Sequence, residues 1–295
     1  MWVEREEERE IRMPEEWGGI IPSQVFLDEA RRIVEEGKKE GLILRVMGGV
    51  GIRLRTLQCA DLAQRLGRLG PEQQEFTDLD FMAYRKQRKR MKGFFEDLGY
   101  GKRRATLSTA ASERQIYFHP QGWFFIDVFF DKLLVANHPL DLRGRLELDS
   151  PTLTPTDLLL EKLQIVNFSE KDLKDVLVLL WAHQMGEEDG AGLINARYIA
   201  GLLARDWGFW YTVTTNLKGI NELLPEMDLS REEKGAIAER VDHLMDRIEE
   251  EPKSLRWRSR ARVGPRMRWY EPVETMETVG EFGIWRLAEE RKKTE

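Results

Sequence analysis

The hydrophobic rhythm of the chain changes near residue 150. Before it, short apolar runs alternate with amphipathic stretches and predict strands among helices; from Pro155 onward, helical spacing takes over. SQVFLDEARRIVEEGKKE (23–40) predicts an amphipathic helix capped by Ser23 and stopped at Gly41. LILRVM (42–47) predicts a strand, and Gly48-Gly49 turns it into a helix over VGIRLRTLQCADLAQRL (50–66). A turn at Gly70-Pro71 leads to a strand within EFTDLDFMAY (75–84), then to a basic helix, RKQRKRMKGFFEDLG (85–99). RQIYFHP and WFFIDVFF flank Pro120-Gln121-Gly122 and predict a hairpin, and LDLRGRLELD (140–149) predicts another.

Beyond the change, TPTDLLLEKLQIV has Thr154 as N-cap and Pro155 at the first helical position. SEKDLKDVLVLLWAH opens on a capping box, Ser169 to Asp172. Further helices are expected at about 192–206, 208–224 and 230–250. The expected class is α+β: a mixed β-sheet flanked by helices over residues 1–150, then a helical domain over 151–295.

Composition narrows the function classes. The 295 residues carry a formal net charge of -6 and a pI near 5.6, so no global basic field advertises nucleic-acid binding. The single cysteine, Cys59, rules out an internal disulfide framework and fits a reducing compartment. The acidic start MWVEREEERE does not read as a signal, and the apolar run at 176–182 is too short to span a bilayer. A cytoplasmic protein without a membrane partner is expected.

Most familiar motifs fail. GGVGIR (48–53) lacks the third glycine of a dinucleotide fingerprint, and GYGKRR (99–104) lacks the spacing and hydroxyl of a P-loop. His119, His138, His183 and His243 are scattered, so zinc is not expected. What stands out is Asp78 and Asp80, two carboxylates in an apolar strand. Residues i and i+2 share a strand face, so they project side by side. FFIDVFF adds Asp127 in a similar setting. Clustered carboxylates repel unless neutralised, and an all-oxygen set suits Mg²⁺. Each acid also has an ordinary structural explanation: Asp78 as the end of a strand or the cap of a turn, Asp127 as the partner of an arginine.

VMGG, FTDLDF and FIDVFF resemble the glycine turn, the paired-aspartate strand and the third-aspartate strand of the polymerase-β-like nucleotidyltransferase superfamily. EKLQIVNFSEKDLKDV (161–176) resembles a segment of the AbiEii-type toxin nucleotidyltransferases, with Lys162 as the lysine, Lys171-Asp172 in place of Arg-Asp, and Asp175 as the last acid. The resemblance implies that Asp78, Asp80 and Asp127 hold two Mg²⁺ ions and are catalytic. It implies that Gly48, Gly49, Lys162 and Asp175 bind a nucleoside triphosphate such as ATP, and that its nucleoside monophosphate passes to a hydroxyl on RNA or protein. It further implies a toxin paired with an antitoxin. Two departures are visible: position 49 is Gly rather than Ser, and the stretch from Gly49 to Asp78 is long. Lys162 has a plain alternative as a solvated residue, and Asp172 as a capping acid.

The segment 253–270 holds seven basic residues and no acid. If extended, it sets Arg256, Arg258, Arg260 and Arg262 on one face, interleaved with Trp257, Trp269 and Tyr270, as in surfaces that grip phosphates and stack bases. The alternative is an intramolecular partner for the acidic residues 1–16. The rival to an enzyme is an inactive nucleotide- or RNA-binding module on the same fold.

Overall fold

The computed structural model describes residues 13–68, 74–103, 114–134, 137–190 and 192–271. The Gly70-Pro71 turn and most of the acidic start lie outside the described residues. Helix α1 (Ser23–Lys39) follows Pro22, so Ser23 is its first residue rather than its cap. Strand β1 (Leu44–Met47) runs into α2 (Gly48–Arg55). The single helix expected over 50–66 is broken at Thr56, whose side-chain hydroxyl donates to Ile52 O; after a 3-10 turn, α3 covers Ala60–Leu66. Strand β2 (Asp78–Ala83), helix α4 (Arg88–Asp97) and strands β3 (Gly101–Lys102), β4 (Arg114–Phe118) and β5 (Phe125–Phe130) complete the main sheet.

The strand order is β1-β2-β5-β4-β3, with β2 and β5 parallel and the other pairs antiparallel. This is a mixed sheet in an α+β chain. The β4–β5 hairpin forms as expected, closed by the His119 N–H donating to Phe124 O at 3.0 Å. The second expected hairpin does not form within 140–149. Instead β6 (Lys132–Leu133) pairs with β7 (Leu140–Asp141), and turns follow. Alternation sorts the two sheet faces. Leu79, Phe81, Ile126 and Val128 pack with α1 and α4, whereas Met47, Met82 and Phe129 pack with the later helices.

Those helices are α5 (Pro155–Leu163), α6 (Glu170–Ala182), α7 (Ala196–Leu203), α8 (Trp207–Leu223), α9 (Arg231–Glu250) and α10 (Leu255–Ala261). The Thr154 cap, Pro155 at the first position and the Ser169–Asp172 capping box are all present. A short parallel pair, β8 (Gln184–Gly186) with β9 (Leu193–Asn195), was not expected. One hydrophobic core joins α2, α3 and strand residues to α5–α9. The chain at 151–153 is laced to β1, with Val46 N–H donating to Pro151 O and Leu153 N–H to Val46 O. Among the described residues no helix is long and apolar enough to cross a membrane.

Candidate active site

Register brings the three acids together. Asp80 lies opposite Asp127 across the parallel β2–β5 pair, and opposite Met47 on its other side. Paired positions share a sheet face, so Asp78, Asp80 and Asp127 stand on the same one. Asp78 and Asp80 are half-buried and Asp127 is buried. Burial pushes the Asp80 carboxyl well above the ordinary carboxylate range, and Asp78, Asp127 and Glu161 push it further; Lys162 offsets only part. Asp127 does pair with an arginine: Arg114 Nη1 lies 3.1 Å from its Oδ2.

The glycine turn sits directly against Asp80. Gly48 has a φ of +66°, and a Cβ there would stand 2.6 Å from Asp80 Oδ2, so a side chain is excluded on both counts. The Gly48 N–H donates to Glu161 Oε2 at 3.1 Å. Above Gly49 sits the Arg68 guanidinium, whose Nη2 would be 2.5 Å from an added Cβ. Arg68 is held there by Nε donating to Asp175 Oδ1 at 2.8 Å and Nη1 donating to Glu75 O at 2.9 Å. A serine at 49 would displace this guanidinium from its two partners.

Lys162 is buried, 3.2 Å from Asp172 Oδ1 and 3.0 Å from Asp175 Oδ2. Burial lowers its proton affinity, but Asp175, Asp172 and Glu161 outweigh that and raise it. It is therefore charged and not a solvated surface residue. Asp172 serves twice, since it also closes the capping box with Ser169. Lys171 is half-buried, and burial, then Arg68 and Lys162, pull its proton affinity down.

Searches for a matching family model and for similar curated proteins found none. Among solved structures, the solution structure of the antibiotic-resistance factor ANT(2'')-Ia matches at 14% identity and a TM-score of 0.32, covering 53% of this chain and 82% of that one. A likeness at that level bears on neither fold nor chemistry.

The donor chemistry fits a hard divalent cation: three carboxylates on adjacent strand positions, one of them made reluctant to ionise by burial and then by its acidic neighbours. As they stand, no three His, Cys, Asp or Glu side chains among the described residues are grouped to hold a metal ion. Glu161 and Arg68 are the site residues that sequence reasoning missed. Glu161 could have been suspected from its place beside Lys162 on a Leu-rich helix; Arg68 follows no pattern.

The Arg/Trp segment is not extended. Ser254 accepts the Trp257 N–H and starts α10, so the four alternate arginines splay around a helix instead of sharing a face. Arg256, Arg258 and Arg262 are exposed. Arg260 turns inward, donating to Gly264 O and Met267 O and lying over the Trp207 ring. Trp257 packs edge-on against Trp210, with centroids 5.0 Å apart.

Proposed function

We propose that the protein transfers a nucleoside monophosphate from a nucleoside triphosphate to a hydroxyl acceptor. The supporting observation is the register that sets Asp80 opposite Asp127, with the Gly48 turn against the same carboxylate. Asp78, Asp80 and Asp127 would hold Mg²⁺, which when bound supplies charge stabilisation for displacement at phosphorus. The acceptor oxygen bonds to the α-phosphorus as the bond to pyrophosphate breaks, and Asp127 takes the hydroxyl proton.

Arg68, above Gly49, meets the phosphates, with Lys171 beside it. Lys162 supplies the positive floor beneath Asp172 and Asp175, and Asp175 in turn aims Arg68. The exposed Arg256, Arg258 and Arg262 would meet the backbone of an RNA acceptor. The resemblance of the 161–176 segment supports a toxin setting with an antitoxin partner. The rival reading, a nucleotide- or RNA-binding module without turnover, draws on the Arg114–Asp127 pair, which occupies one of the acids.

Incubation with each α-labelled nucleoside triphosphate and Mg²⁺, with total RNA or protein as acceptor, separates the two. Label transferred by the wild type and lost in Asp80→Asn is the expected result. Binding of nucleotide without any transfer, under every acceptor tried, would leave the binding module in its place.

A further inference from the structure

Two phenylalanines face solvent at the edge of the candidate site. Phe125 is 49% exposed and Phe118 37%, with ring centroids 5.1 Å apart and planes crossing at 66°. They are register partners on β5 and β4, and Phe125 is also the partner of Asp78 on β2. The three therefore form one row across three strands, on the carboxylate face. Gly101 comes next in that row and brings no side chain to cover Phe118; nothing lies within 4 Å of where its Cβ would be. Arg103, whose N–H donates to Ile116 O, lies beside the neighbouring rung, is exposed and makes no ion pair among the described residues.

We propose that Phe118 and Phe125 seat a base of a single-stranded nucleic-acid acceptor, with Arg103 taking an adjoining phosphate; this rests on the nucleotidyl-transfer reading. Position favours the acceptor over the triphosphate. Arg68, Lys162 and Lys171 gather on the β1 side with α5 and α6, whereas the rings lie away from β1, Phe125 on β5 two residues before Asp127 and Phe118 on β4. Attacking and leaving oxygens stand on opposite sides of phosphorus, so the acceptor enters from the β4 side. An exposed aromatic surface beside an exposed arginine suits a stacked base and its phosphate. A hydroxyl on a protein surface would need neither.

The test is fluorescence anisotropy of the full chain with a labelled single-stranded RNA of about eight nucleotides. The Phe118→Ala/Phe125→Ala variant should bind about tenfold or more weakly, and Phe125→Trp should bind as well as wild type. Arg103→Ala should lower the log–log salt slope by about 0.7. Affinity for a non-hydrolysable ATP analogue should not change. Absence of RNA binding by the wild type, or equal binding by the double alanine variant, overturns the proposal. An equal loss of ATP-analogue affinity also overturns it, by giving the rings to the nucleotide's own base. Ring-dependent RNA binding without label transfer would remove the transfer reading and keep the seat. Transfer with an unchanged acceptor KM in the double variant would remove the seat alone.

Discussion

Asp80 stands among three other carboxylates, Asp78, Asp127 and Glu161, with the glycine turn against its Oδ2. Such a residue strains the fold that carries it, as groups at functional sites often do. Asp80→Asn should therefore abolish transfer and, measured without added metal, melt no lower than wild type, by roughly 2–4 °C higher for each kcal/mol of repulsion relieved. A melting temperature well below wild type would mean that Asp80 serves the fold. Two histidines make a separate prediction about acid. Burial lowers His138 and His183 from 6.5 to about 4. Between those values the unfolded chain binds more protons, so stability is present above about pH 6.5 and is lost as pH falls towards 4, on the order of 3 kcal/mol for each histidine. Urea melts at pH 7 and pH 5 should show the loss, and His183→Gln should shrink it.

Among the elements, those fixed by local chemistry were legible and those fixed by packing were not. Thr154-Pro155 and the Ser169–Asp172 box are start signals that act within one turn, and both operate as read. The β4–β5 hairpin announced itself through Pro120-Gln121-Gly122. The break at Thr56 was hidden because its buried hydroxyl bonds back to Ile52 O, a choice set by the surrounding core. The arginine segment was misread because alternate charges look the same in a strand or on a helix until the Ser254 cap is noticed. The aspartate row could be seen from its period of two, but not the arginine that fills the space over Gly49, since no local rule links residues 49 and 68. Ser169→Ala should cost about 1 kcal/mol in urea unfolding. Because Asp172 would lose a tether and Lys162 leans on Asp172, nucleotide affinity should fall with it, as titration calorimetry can measure. Unchanged affinity would confine the cap to a structural role.

At the scale of the whole molecule, the change of rhythm near residue 150 marks a change of element type within a shared core. Met47, Ile52, Leu62 and Phe129 pack in the same cluster as Leu158, Val176 and Leu203. A chain cut at 150 should expose that apolar surface, bind a hydrophobic dye and lack a cooperative melt; a sharp transition in residues 1–150 alone would show otherwise. The exposed Arg256, Arg258 and Arg262 belong to this scale too, because they add charge without touching the site. Replacing all three with alanine should lower the RNA salt slope by about 2, with thermal stability kept. Arg260→Ala should do the reverse, since Arg260 is bonded inside the fold.

The Gly48 N–H finds its acceptor on Glu161, 113 residues further along the chain. At synthesis rates of about 5–20 residues per second, roughly ten seconds separate the two on the ribosome. During that interval the aspartates have been made while the turn against Asp80 has no partner to hold it. A half-made chain therefore carries its aspartates before the acceptor of the Gly48 N–H exists.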